Sequence, residues 1–377
     1  MKINIPMIRS VTIKGYRGLE HFEMDKLGRI NLLVGKNNSG KSSVLEALYL
    51  LSSGVSPRAL SSILRGRGEL MDARGEEDER ALVERELDVT HLFGGHRLDP
   101  DLPISIKAQD DSSSPPSMLS LRIAITEIKE NKGREEIANL PQIGLSISND
   151  SRHTNPIITY PISSRGGIIL RDLDALRRLP GRGPIKIYVV QYVRSESLSP
   201  DDLVFKWDSV SLTSAQSDIL ESLRAVDDAV ENIASYSRSR FFSTSRGGFK
   251  VKLRGQDDPV PIGSLGDGVW RMLAIAISLA VSQNGILLID EIDTGLHYSV
   301  LEKLWHMVMK TAKDLNVQVF ATTHSYDCIT SLASICHADS EAKSEVTIQR
   351  IEAGKKKAVA YDEGDIVMAA ERHIEMR

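Results

Sequence analysis

The chain has 377 residues, more than a single hydrophobic core usually serves, so one large domain with an elaborated lobe, or two lobes, is expected. With 41% hydrophobic residues, 26% charged residues and a formal charge of −4, the composition excludes a protein coated in positive charge for nucleic acid but leaves room for a local basic groove. Only two cysteines occur, Cys328 and Cys336, and no Cys-x-x-Cys pair, which excludes an encoded zinc ribbon or zinc hook and predicts a reduced, cytoplasmic protein.

The first ten residues lack the apolar core of a signal peptide. Residues 8–14 alternate apolar and polar, as a half-buried strand does, and Gly15-Tyr16-Arg17-Gly18 closes it with a turn. A second strand is expected at 30–34, running straight into a Gly-rich loop, after which Val44, Leu45, Ala47, Leu48 and Leu51 recur at helical spacing. Residues 65–86 are dense in mixed charge and read as an exposed helix or loop. Short strands are expected at 104–107, 119–128, 143–147 and 157–162, separated by polar turns, as in an inserted antiparallel lobe. A coiled-coil arm is disfavoured there, because no apolar heptad is sustained and prolines interrupt. The run 185–193 returns to a buried strand. A helix capped by Thr213 or Ser214 is expected to place Ile219, Leu220, Leu223, Val226, Val230 and Ile233 on one face. A strand at 249–253 follows. The greasy stretch 272–289 is broken by Ser282, Gln283, Asn284 and Gly285, so it predicts a buried helix, a turn and a buried strand, with no membrane span. A helix at 299–315, a strand at 317–321, a hairpin within 346–360 and a short last helix complete the chain.

Two motifs carry chemistry. Gly35-Lys36-Asn37-Asn38-Ser39-Gly40-Lys41-Ser42, followed by Ser43, fits the phosphate-binding pattern G-x-x-x-x-G-K-[ST] between a strand and a helix. Its glycines allow backbone N–H groups to turn around phosphate oxygens, and the helix adds the positive end of its dipole. Lys41 then reaches the β- and γ-phosphates of ATP, with GTP as the alternative, and the Ser42 hydroxyl ligates magnesium. In the second motif, the apolar run 286–289 ends in Asp290-Glu291. Asp290 is expected in the magnesium shell, and Glu291 beside it to orient or deprotonate the attacking water. The motifs lie toward opposite ends of the chain, so the site is assembled across whatever is inserted between them.

The segments Val11-Thr12-Ile13-Lys14-Gly15-Tyr16-Arg17-Gly18-Leu19 and 30–47 resemble the ABC-type ATPase heads of structural-maintenance-of-chromosomes (SMC), RecF and overcoming-lysogenization-defect (OLD) proteins. More narrowly, they resemble the compact AAA-labelled ATP-binding proteins, related to OLD ATPase domains, that bacteria carry in anti-phage systems. The resemblance covers roughly the first 50 residues and 263–325; the middle of the chain shows none. It implies an α/β fold, a P-loop NTPase sheet like an ABC ATPase head with an inserted antiparallel β-rich lobe. Residues 1–52 and 185–335 would then form the ATPase core, 53–184 the lobe, and 336–377 a terminal hairpin and helix.

The resemblance also implies Mg-dependent ATP hydrolysis in a head-to-tail homodimer or higher homo-oligomer. Ser264-Leu265-Gly266-Asp267-Gly268 stands where such ATPases carry their signature loop, so Gly266 and Gly268 would face the γ-phosphate held by a second copy. Gly266 occupies the usual serine position, as in the Gly-x-Gly form of OLD-like members. Asp293-Thr294-Gly295-Leu296-His297 stands in the D-loop place, with His297 where aspartate is common; it either meets its twin across the dimer or packs the loop. His324, in Ala321-Thr322-Thr323-His324-Ser325, matches the switch histidine that senses the γ-phosphate. Gln191 is either a magnesium-sensing Q-loop glutamine or a polar group at a sheet edge. Tyr16 and Arg17 either flank the nucleotide or form a turn.

The basic runs Arg177, Arg178, Arg182 and Arg238, Arg240, Arg246, Lys250, Lys252, Arg254 read as solvated charge before a nucleic-acid groove. The implied role is regulation of a separately encoded effector protein, with a nuclease among the candidates, in DNA maintenance or anti-phage defence. Nucleic acid stays open as a partner and no membrane is expected. A nucleotide-gated clamp and a RecF-like DNA-binding repair factor, each with little turnover, are the rival readings.

Overall fold

The computed structural model describes residues 7–71, 86–111, 118–127, 143–148, 158–163, 165–169, 188–196, 199–236, 248–338, 345–372, 374 and 376. Strand β1 (Ile8–Tyr16) buries Ile8, Val11, Ile13 and Tyr16, while Arg9 and Lys14 are exposed and the other residues between them half-buried. The turn expected over four residues narrows to Arg17-Gly18, with Arg17 at φ 52°, and the chain runs back as β2 (Leu19–Met24). Strand β3 (Ile30–Val34) is wholly buried and opens into the Gly-rich loop, which leads to helix α1 (Lys41–Ser53). Helix α2 (Pro57–Gly66) begins inside a stretch without an evident period. Proline at its first position and the Ser56 hydroxyl, which accepts the Ala59 N–H, set its start.

Strands β4 (Leu70–Met71) and β5 (Glu86–Asp88) precede β6 (Ile104–Asp110), β7 (Met118–Glu127), β8 (Ile143–Ser148), β9 (Ile158–Pro161) and β10 (Gly167–Ile169). Four of these extend the N-terminal hairpin into one antiparallel sheet of order β2-β1-β6-β7-β8-β9, while β10-β5-β4 form a small second sheet. The strands expected for an inserted lobe therefore share a sheet with the first strands of the chain.

The second half contains β11 (Val189–Val193), α3 (Pro200–Val210), α4 (Ser214–Val226), β12 (Val230–Ser235), β13 (Phe249–Leu253), β14 (Val260–Pro261), α5 (Asp267–Ala280), β15 (Gly285–Ile289), α6 (Tyr298–Asp314), β16 (Gln318–Thr322), α7 (Tyr326–Ala338), β17 (Val346–Arg350), β18 (Val359–Tyr361) and α8 (Glu363–Glu371). Strands β12, β13 and β14 pair antiparallel. The others complete a sheet of order β11-β15-β16-β3-β17-β18, parallel except for the last pair. One expectation fails here: Val230 and Ile233 belong to β12, not to the helix before it. Helix α4 stops at Asp227, whose carboxylate accepts the Ala229 N–H and offers the backbone a turn in place of another helical step.

The central parallel strands β3, β15 and β16 are mostly apolar and wholly buried because both their faces are covered, and Asn31 and Gln318 within them place their amides in buried hydrogen bonds. Ile30, Leu32, Leu287, Ile289, Val319 and Ala321 face one core, built with α3 to α7 around Trp270 and Trp305. Their neighbours Leu33, Ile286, Leu288 and Phe320 face the other core, where α1 lies between the two large sheets and α2 packs against α1 and β5. Helix α1 is thus held on two sides, and the loop before it has a rigid floor. No helix among the described residues is long and apolar enough to cross a membrane. Of the basic residues singled out above, Arg177, Arg178, Arg182, Arg238, Arg240 and Arg246 lie outside the described residues. Lys252 turns back to donate to the carbonyls of Gln256 and Asp257, as a hairpin tie does.

Candidate active site

Strands β3, β15 and β16 are neighbours, so the loops leaving their carboxyl ends meet in one place. From β3 comes the Gly-rich loop. Gly35 has φ 144°, and a Cβ there would lie 2.2 Å from the Ile351 carbonyl oxygen, so no other residue fits. Gly40, at φ 101°, is the N-cap of α1 and brings no side chain to it, so the first N–H groups of the helix stay open for an anion. Lys36, Asn37 and Asn38 are exposed at the crest of the loop. Ser39 is buried beneath it, with a hydroxyl that has no hydrogen-bond partner. Ser43 lines a cavity of about 600 Å³ beside the loop, together with Leu19, His91 and Lys355. Lys41 lies along the loop and donates to the carbonyls of Gly35 (2.7 Å) and Lys36 (2.9 Å). Burial lowers its pKa, against the opposing pull of Asp290 and Glu291.

From β15 comes the acidic pair. The Ser42 hydroxyl donates to Asp290 Oδ1 at 3.1 Å, and Thr322 Oγ1 of β16 donates to the same oxygen at 2.6 Å. Ser42 and Asp290 thus offer adjacent hard oxygen donors, the kind magnesium takes along with phosphate and water. Glu291 stands in left-handed backbone at φ 49°, its N–H donating to Thr322 Oγ1 at 2.8 Å. Its carboxylate accepts from Thr294 Oγ1 at 3.1 Å and lies 3.9 Å from His324 Nδ1. Lys41, Ser42, Asp290, Glu291 and His324, named from motifs far apart in the chain, therefore stand in one cluster.

The signature-like loop and the loop after Glu291 pack against each other. A Cβ on Gly268 would come within 3.1 Å of the Gly295 carbonyl, so the start of α5 rests on the loop after Glu291. Gly266, at φ 86°, faces open space. His297 caps α6, its Nδ1 accepting the Ser299 N–H at 3.4 Å while its ring lies 4.2 Å from that of Tyr298. Gln191 is not brought to the cluster. It sits mid-strand in β11, in a cleft with Tyr49 and Lys206, and the residues that line the space beside Ser42 and Asp290 are Tyr192, Arg194 and Glu196, farther along the same chain segment. Arg17 lines the cavity beside the Gly-rich loop, whereas Tyr16 does not. Tyr16 is wholly buried and donates to Glu46 at 3.1 Å, while Arg17 bonds Glu46 (2.8 Å) and takes Glu69 in a fork (2.6 and 3.0 Å).

Arg271 is a residue that motif reading missed. It is 2% exposed on α5 and donates to the carbonyls of Arg194 (2.6 Å), Asp290 (2.6 Å) and Glu291 (2.8 Å). Burial pushes its pKa down to about 10, with Asp290, Asp293 and Glu291 opposing. It fastens the helix after Gly266-Asp267-Gly268 to the backbone of the acidic pair. The available signal was an arginine alone in an apolar helical run.

Two family descriptions match this chain. "AAA ATPase domain" covers residues 7–146, and "AAA domain, putative AbiEii toxin, Type IV TA system" covers residues 182–327. A protein of Helicobacter pylori named "ATP/GTP phosphatase" is 25% identical over 87% of the chain and 88% of its own length. The DNA replication and repair protein RecF of Vibrio campbellii is 34% identical over 29% of the chain, a match spanning only 26% of RecF. In fold, the chain is similar to an Smc head bound to the C-winged helix domain of ScpA, with a TM-score of 0.50, 14% identity, and coverage of 95% and 98% of the two chains. It is equally similar to an Smc head with an extended coiled coil, bound to the C-terminal domain of ScpA derived from Pyrococcus furiosus, with a TM-score of 0.50, 12% identity, and coverage of 98% and 100%. Together with the convergence of Lys41 and Glu291, these likenesses identify the chain as a P-loop ATPase with the fold of an Smc head.

Proposed function

We propose that this ATPase hydrolyses ATP, with GTP as an alternative substrate, at composite sites formed when two copies close head to tail. In each site Lys41 and the loop 35–43 hold the phosphates, and Ser42 and Asp290 hold a magnesium ion, which would neutralise phosphate charge. Glu291 orients and deprotonates the water, His324 senses the γ-phosphate, and Gly266 and Gly268 come from the second copy. The observation that carries this reading is where the signature loop lies. Within one chain it rests on the 293–297 loop, with Gly266 facing open space, and not against the chain's own phosphate loop. A second copy is what brings such a loop to a phosphate.

The test is mixing. Gly266→Arg puts a bulky cation on the signature loop, in open space but at a backbone position (φ 86°) that disfavours any side chain, and Lys41→Ala removes the phosphate clamp. Each variant alone is expected to lose about 100-fold or more in turnover. Mixed in equal amounts, they regain a substantial fraction of wild-type turnover, because one of the two sites in a mixed dimer is intact. A mixture as inactive as its components contradicts the composite site. The biological role follows as a further proposal: opening and closing of the dimer regulates a separately encoded effector in the cytoplasm, in DNA maintenance or anti-phage defence. The RecF relative and the toxin–antitoxin wording of the matched family support that setting.

A further inference from the structure

Strand β11 is the outermost strand of the parallel sheet, and a cleft of about 420 Å³ lies along it, walled by the end of α1 and by α2 and α3. The cleft is lined by Tyr188, Val189, Val190, Gln191 and Tyr192 in unbroken succession. Successive residues of a strand point to opposite faces, so a cleft touching all of them runs along the edge of the strand. The Val193 carbonyl accepts the Asp290 N–H next to β15, and alternate residues of a parallel ladder aim their backbone groups to the same side. Val190 and Tyr192 therefore aim N–H and C=O away from β15, into the cleft, and among the described residues no backbone group takes them.

Across the cleft stand Lys206 of α3 and Arg58 of α2. The carboxylate beside them, Asp202, is held by Arg58 (3.2 Å) and by the Ser199 hydroxyl (2.9 Å). Lys206 is half-buried, and no hydrogen bond or ion pair reaches its ammonium among the described residues. Phe205 stands at the rim, 74% exposed. An unpaired strand edge, an excess of cationic groups and an exposed aromatic side chain occur in one groove.

We propose that this groove docks an extended acidic segment of a partner protein, which adds a strand to β11 and sets a carboxylate against Lys206 and Arg58. Backbone donors and acceptors repeating every second residue match a peptide chain, whereas the phosphates of a nucleic acid would leave the donors and acceptors of the edge unmatched. An apolar side chain of the same segment covers Phe205. Tyr192 lines both this groove and the space beside Ser42 and Asp290, so the partner would sit one side chain from the metal ligands.

The charge state of the groove makes docking pH-dependent. Burial pushes Lys206 down to about 8, with Asp202 opposing and Arg58 adding to the shift. The phenols of Tyr49, Tyr188 and Tyr192 are pushed upward by burial and stay neutral. A bound carboxylate raises the Lys206 pKa, so docking takes up a proton. Affinity is then full below about pH 8 and falls, by up to about tenfold per pH unit, as pH rises above it.

The experiment is fluorescence anisotropy of the full chain, without nucleotide, titrated against a labelled peptide of about seven residues alternating valine and glutamate. Saturable binding at roughly 10–100 µM is expected, weakened at least about tenfold by Lys206→Glu or Arg58→Glu. Proline at alternate peptide positions, which removes the pairing N–H groups and leaves the protein untouched, is expected to abolish it. No saturation by about 1 mM, or equal binding of the proline peptide, overturns the proposal. Tighter binding of a charge-matched oligothymidylate, sensitive to Lys206→Glu, assigns the groove to nucleic acid and overturns it as well.

Discussion

At the scale of single residues, function rests on a few polar atoms held by a rigid apolar frame. Glu291→Gln keeps the shape and removes the proposed base, so turnover should fall about 100-fold or more while nucleotide affinity holds; single-turnover phosphate release and equilibrium binding separate the two. Arg271→Met keeps much of the side-chain volume and withdraws the donors from three carbonyls. Unfolding free energy should drop by roughly 2–4 kcal/mol in a denaturant titration, and turnover should fall with it, since Glu291 loses the contact that holds its left-handed backbone. Motif reading found Glu291 and missed Arg271 for a physical reason. An acidic pair after an apolar strand announces itself locally, whereas the partners of a buried arginine are backbone carbonyls that any sequence supplies.

Among the elements, α1 is the part on which the phosphate loop depends. Leu48 is wholly buried in the core between the two large sheets, so Leu48→Ala should cost about 2–5 kcal/mol, read by chemical denaturation. The contact between the start of α5 and the 293–297 loop is more specialised. Gly268→Ala places a methyl group 3.1 Å from the Gly295 carbonyl and forces that loop to shift. Turnover should fall by about tenfold with little change in melting temperature, as expected when a contact steers a site more than it supports the core. Element type was legible wherever burial imposed a pattern: β3, β15 and β16 are short, wholly buried and mostly apolar, and β1 alternates. It was not legible at α2, where proline and serine at the start carry the signal, or past Val226, where apolar spacing continues across the Asp227 turn and mimics a longer helix.

For the whole molecule, strands between the two motifs were readable by their alternation, as in β6. Their pairing onto β1 was not readable, because an antiparallel edge accepts any strand with an apolar face and the register is chosen only in three dimensions. The folded chain brings the carboxyl ends of β3, β15 and β16 together, and its account as an enzyme stands or falls there. Steady-state phosphate release from ATP with magnesium, compared for wild type, Lys41→Ala and Glu291→Gln, tests it most directly. The expected result is measurable turnover in wild type, loss of both binding and turnover with Lys41→Ala, and loss of turnover alone with Glu291→Gln. Turnover that is unchanged in both variants would contradict the account.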